Sequence, residues 1–172
     1  MMGVGERHLD NERATLALGA ELAGLLTAAD GFGGDAVVFL KGELGAGKTT
    51  LARGILRAMG FRGAVKSPTY TLLEPYDDHG VYHFDFYRIG DSRELEFIGV
   101  DEHMADTSIK LIEWPERAGG WLPVPDVDIA LFVEGDGRRA NIRFPAGTVA
   151  GAARLSGLSG SGARNAPRVL GS

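Results

Sequence analysis

Residues 42–49 read Gly-Glu-Leu-Gly-Ala-Gly-Lys-Thr, the G-x-x-x-x-G-K-[ST] spacing of a phosphate-binding loop. Gly45 and Gly47 permit backbone conformations barred to residues with a Cβ, so successive N–H groups can converge on one anion. Lys48 supplies a point charge for the β- and γ-phosphates of a nucleotide, and the Thr49 hydroxyl is a hard oxygen suited to Mg²⁺. Glu43 would repel phosphate if it turned inward, so it is expected to face away.

Such a loop needs a carboxylate to hold Mg²⁺ and to place a water or an acceptor. Two positions compete for that work. Glu113 closes the apolar run Ile109-Lys110-Leu111-Ile112, at a carboxyl edge where ligands collect in open α/β sheets. Asp85 lies in His83-Phe84-Asp85-Phe86-Tyr87, where strand alternation puts both phenylalanines on one face and His83, Asp85 and Tyr87 on the other. The plainer alternatives are an ordinary strand-end acid for Glu113, and for Asp85 a solvent-facing acid or a partner of Arg88. The hydroxyl-rich Ser67-Pro68-Thr69-Tyr70-Thr71 either senses a γ-phosphate or is a Ser-Pro turn. Trp114 either packs at the domain edge or lies beside the nucleotide. His79, His83 and His103 lack metal-like spacing and read as structural or exposed. Arg138 and Arg139 read as surface charges unless the fold carries one to the nucleotide.

These residues have to be positioned by elements that the pattern predicts. Leu18, Leu22, Leu25, Leu26 and Ala29 recur at spacings of three and four, predicting a helix over 12–29 capped by Asn11. Ala36–Leu40 reads as a buried strand feeding the loop, and Lys48–Met59 as a helix stopping at Gly60. Strands follow at Tyr70–Glu74 and Val81–Tyr87 around a turn at 75–80, then a short helix at Ser92–Phe97 and a turn near Asp101–Ala105. The strand Ile109–Trp114 and a hairpin from Asp126–Glu134 and Arg138–Phe144 complete the pattern. The fold class expected is α/β, a P-loop three-layer sandwich whose mainly parallel sheet has antiparallel edge strands. The domain spans 1–145. Residues 146–172, rich in Gly, Ser and Ala, form a tail read as flexible, in which Val149, Leu155 and Leu158 could dock as a weak final helix.

Composition narrows the function classes. With no cysteine among 172 residues, disulfides and thiolate metal sites are excluded. Residues 146–172 hold three arginines and no acid, which leaves 15 basic against 23 acidic residues and a charge of −8 over 1–145. A body this acidic is a poor direct binder of RNA or DNA, so any service to nucleic-acid chemistry runs through protein partners. The polar start and the lack of a membrane-length apolar stretch lead to an expectation of a cytoplasmic protein without membrane contact.

Behind the loop motif GELGAGKTTLARGILRAMG come VKSPTYTLLEPY, YHFDFYRI, ELEFIGV and LIEWPER. In this order and spacing, over about residues 10–145, the chain resembles the TsaE family. The resemblance implies a small Mg²⁺-dependent ATPase of bacterial tRNA N6-threonylcarbamoyladenosine synthesis, weak alone, working with TsaD and TsaB and meeting tRNA only through that complex. It would not carry out the transfer itself. Residue by residue, it implies that Gly45, Ala46, Gly47, Lys48, Thr49 and Thr50 hold the phosphates and that Thr49 and Glu113 ligate Mg²⁺. Asp85 would sit by the γ-phosphate and help position water, Glu12 would lie at the base end, and Arg138 near the nucleotide. Three rivals remain against it. A metabolite kinase would carry an arginine-bearing lid and an acceptor insertion, and a GTPase an Asn-Lys-x-Asp motif, none of which is apparent. A non-catalytic adaptor would bind ATP merely to dock.

Overall fold

The apolar runs at 36–41 and 109–113 are buried on both faces, as strands in the middle of a parallel sheet must be. The computed structural model describes residues 4–155. Its strands are β1 (Val4–Leu9), β2 (Ala36–Lys41), β3 (Leu73–Tyr76), β4 (Val81–Asp85), β5 (Ile109–Glu113), β6 (Val127–Glu134) and β7 (Gly137–Arg143). They form one seven-stranded sheet in the order β1-β7-β6-β2-β5-β4-β3. The central β6, β2, β5 and β4 run parallel, while β3 at one side and β7 and β1 at the other are antiparallel. The expected α/β sandwich with a parallel centre and antiparallel edges is therefore observed.

Strand alternation divides the core into two layers. Val38, Leu40 and Leu111 pack beneath α1 (Glu12–Thr27) and α2 (Lys48–Ala58). Val37, Phe84 and Ile112 pack on the opposite face with Leu95 of α3 (Glu94–Phe97), Val100 of α4 (Val100–Ala105) and Ala118. Among the described residues no helix is long and apolar enough to cross a membrane.

Helices α1 and α2 form the wall above the phosphate loop, and their approach is unusually close. A Cβ on Gly19 would lie 2.8 Å from backbone atoms of Gly54, and one on Gly54 would lie 2.7 Å from the Leu16 carbonyl oxygen. The two glycines let the helix backbones touch, which fixes the distance between the N-terminus of α1 and that of α2. Asn11 caps α1 as expected, its Oδ1 accepting the Ala14 N–H at 2.9 Å.

Several elements differ from the sequence expectation. The predicted strand at 70–74 forms instead at Leu73–Tyr76, so Pro75 lies inside it; among the described residues β3 pairs only with β4, and an edge strand tolerates the missing N–H. Residues 101–105, expected as a turn, belong to α4. Strand β1 was not foreseen: its Glu6 and His8 are exposed while Gly5 and Leu9 are buried, an edge strand with charges on its outer face. Within the segment expected as a tail, Ala150–Arg154 forms a 3-10 turn, Val149 packs on the core and Leu155 is buried. Leu158 and the later tail residues lie outside the described residues.

Gly54→Ala tests the helix contact. Helix propensity alone would favour alanine by roughly 0.5–1 kcal/mol. The backbone clash reverses that sign, and urea unfolding is expected to show a net loss of about 1–3 kcal/mol.

Candidate functional site

Strand β2 delivers the chain into the loop at the carboxyl ends of the parallel strands. There Gly47 adopts φ 105°, a left-handed conformation that a β-carbon would strain, and α2 begins at once with no side chain capping it. The first-turn N–H groups and the helix dipole thus favour an anion at this end. A cleft of about 410 Å³ opens over the loop. Of the residues named from sequence, Glu12, Gly45, Gly47, Lys48, Thr49, Thr50, Asp85, Glu113 and Arg138 all line it. Ala46 does not; it is buried beneath the loop, where its carbonyl accepts from Arg138. Glu43 is exposed and outside the lining, as its charge requires.

The Lys48 ammonium donates to the carbonyls of Gly42 at 2.6 Å and Glu43 at 3.0 Å, and lies 4.5 Å from the Trp114 ring centroid. Trp114 therefore belongs to the cleft; it holds a left-handed backbone, φ 57°, immediately before Pro115. Burial pushes the Lys48 pKa below the ordinary lysine value of 10.5, while Glu113, then Asp85, Glu116 and Glu43 pull it back upward.

Glu113 and Asp85 end neighbouring strands in direct register, and both side chains are buried. The Thr49 hydroxyl lies 3.2 and 3.3 Å from the two Glu113 oxygens. The second oxygen also meets His83 Nε2 at 2.7 Å. Asp85 accepts from the Ser67 hydroxyl, from Thr69 Oγ1 at 3.1 Å and from the Tyr87 N–H at 2.9 Å. Neither acid is the surface residue of the plainer alternative, and Arg88 lies over the Tyr70 ring at 4.5 Å rather than on Asp85. Ser67 and Thr69 thus join the site through Asp85.

Arg138 reaches the loop from the distant hairpin: Nε donates to the Ala46 carbonyl at 3.1 Å and Nη2 to that of Gly45 at 3.0 Å. Arg139 points the other way, pairing with Glu134 and Glu6 over the Phe132 ring. Glu12, which also lines the cleft, lies 3.4 Å from Arg53. His83 was read as structural or exposed; it is fully buried against Glu113, and only its shared strand face with Asp85 hinted at this.

A parallel sheet, a glycine loop and a helix springing from it define the P-loop nucleotide-binding class of fold. The chain belongs to the TsaE family: the model for the threonylcarbamoyl adenosine biosynthesis protein TsaE matches residues 9–141. Similar relatives carry the name tRNA threonylcarbamoyladenosine biosynthesis protein TsaE. That of Haemophilus influenzae is 47% identical over 125 residues, covering 72% of this chain and 78% of its own. That of Bacillus subtilis is 40% identical over 117 residues, covering 66% and 72%. Among solved structures, the fold resembles a crystal structure of Bacillus subtilis YdiB, with TM-score 0.69 and 26% identity over 84% of this chain and 88% of that one.

The Lys48 shift has a signed consequence. Between its lowered value and 10.5 the unfolded chain holds the proton that the folded chain has released, so this group's contribution to stability rises with pH. Thermal unfolding of the ligand-free protein from about pH 8 to about pH 10 should shift the difference between wild type and Lys48→Met in favour of wild type. A pH-independent difference would contradict the assigned burial penalty.

Proposed function

We propose that this chain binds and slowly hydrolyses ATP with Mg²⁺, and that the hydrolysis supports tRNA N6-threonylcarbamoyladenosine synthesis in a complex with TsaB and TsaD. The observation that carries this reading is the convergence, in one cleft, of the phosphate loop, the Lys48 ammonium and two buried carboxylates on adjacent strand ends. The names of the relatives support the pathway. The acidic body argues that tRNA is met through partners rather than directly.

The donor set suits Mg²⁺. Among the described residues no group of three or more His, Cys, Asp or Glu could form a metal cage on its own. Mg²⁺ does not ask for one: it keeps several waters and takes one or two carboxylates together with substrate phosphates. Thr49 Oγ1 and Glu113 are the hard oxygens that would hold it. When bound, it would supply neutralisation of phosphate charge.

The chain's own residues do the remainder. Loop N–H groups and the α2 N-terminus cradle the phosphates through Gly45, Ala46, Gly47, Lys48, Thr49 and Thr50. Lys48 exchanges its carbonyl partners for phosphate oxygens and stabilises charge developing on the transferred group. Asp85, its orientation fixed by three donors, accepts a hydrogen bond from the attacking water and aligns it. Arg138 keeps the loop closed by holding two of its carbonyls. Glu12 lies at the base end of the cleft. Partner contacts raise the slow basal rate.

Removing the ammonium with Lys48→Ala should weaken ATP binding in calorimetry by roughly 1.5–3 kcal/mol, the worth of a charge-assisted phosphate contact. In single-turnover assays Asp85→Asn should slow ADP formation by about 100-fold. Wild-type protein that keeps ATP intact would leave an adaptor, not an ATPase. Steady-state hydrolysis should rise when TsaB and TsaD are added; an equal rate would remove partner activation.

A further inference from the structure

His83 takes no part in the steps above, yet it sits directly behind the Glu113 carboxylate. It is fully buried on β4, two residues before Asp85 and on the same sheet face. Its Nε2 lies 2.7 Å from Glu113 Oε2, while its Nδ1 is buried with no hydrogen-bond partner among the described residues. A carboxylate can only accept, so Nε2 carries the hydrogen and donates. A hydrogen on Nδ1 instead would be a buried N–H without an acceptor.

A leucine would fill this volume but leave Glu113 Oε2 without its imidazole donor. Packing therefore does not explain an imidazole here, whereas its effect on Glu113 does. The single Thr49 hydroxyl hydrogen is shared between the two Glu113 oxygens, while His83 donates to Oε2 from the neighbouring strand. The carboxylate is held in one orientation, with Oε1 meeting the Thr49 hydroxyl among the described residues.

We propose that His83 is a positioning residue: its Nε2–H donation locks the Glu113 carboxylate in the orientation that serves Mg²⁺. This rests on the Mg²⁺–ATP reading above and extends it to a residue behind the metal-side acid. An outer-shell donor of this kind typically changes metal affinity by about 10–100-fold when lost.

The test measures the gain in ADP affinity caused by Mg²⁺, by calorimetry with and without the metal, alongside the melting temperature. In His83→Leu that gain is expected to fall about tenfold or more, with a cooperative melting transition showing that the variant is folded. His83→Gln, whose amide nitrogen can reach the Nε2 position, should keep most of the gain. His83→Asn, whose amide ends short of it, should lose the gain, so the Gln–Asn contrast decides the matter even where the leucine variant does not fold. A full Mg²⁺ gain in His83→Leu or His83→Asn would overturn the positioning role, as would equal losses with and without metal. Absence of any gain in wild type would instead overturn the Mg²⁺ reading itself.

Discussion

The buried carboxylate of Glu113 receives the hydroxyl of the first α2 turn and the imidazole of the neighbouring strand, and so ties the loop helix to the sheet. Without that acid, Thr49 and His83 would have no common partner, and the cleft would lose the negative charge that does most to balance Lys48. The arrangement is electrostatically demanding. An ammonium and two carboxylates are gathered at one end of a parallel sheet, where burial penalises each of them when alone. Mutual proximity offsets part of that penalty. A polyanion bridged to a cation would offset more, which explains why such a cluster belongs to a binding site and not to a scaffold.

The scaffold places this cluster by ordinary means. Parallel register sets Asp85 opposite Glu113, the strand–loop–helix turn sets Lys48 and Thr49 above them, and the Gly19–Gly54 contact fixes how near the α1 wall can come. The remaining grip comes from β7, separated from β2 by β6 alone, where Arg138 holds two loop carbonyls. A segment about 90 residues downstream in sequence thus determines the shape of the loop.

What could be read without coordinates was what is local. The phosphate loop is a contiguous string, and β2 and β5 are mainly apolar runs with few alternatives. Helix α1 shows its period in Leu18, Leu22, Leu25 and Leu26 and stops at Thr27, short of the expected Ala29. The two candidate acids were legible because each ends a strand in a chain already carrying the loop. The edges were harder. Strand β1 shows too few apolar residues to signal itself, because its exposed positions carry charge, and Pro75 in β3 looked like a turn because nothing local reveals an edge position. His83 and Arg138 depend on contacts between strands. For His83 the alternation gave the face but not the partner. For Arg138 the motif resemblance gave a neighbourhood, but which loop carbonyls it would hold had no counterpart in sequence. Membership of the TsaE family agrees with the motifs at 42–49, 67–71, 83–88 and 113–117, which fall together around one cleft.

The central claim is that the loop amides and Lys48 receive the phosphates of ATP. A titration of the isotope-labelled protein with Mg²⁺–ATP, followed by amide NMR, tests it most directly. The account predicts that the largest shifts fall on Gly45–Thr50, accompanied by the Lys48 side chain leaving the carbonyls of Gly42 and Glu43. Saturation of the protein with nucleotide while those signals stay in place would contradict it.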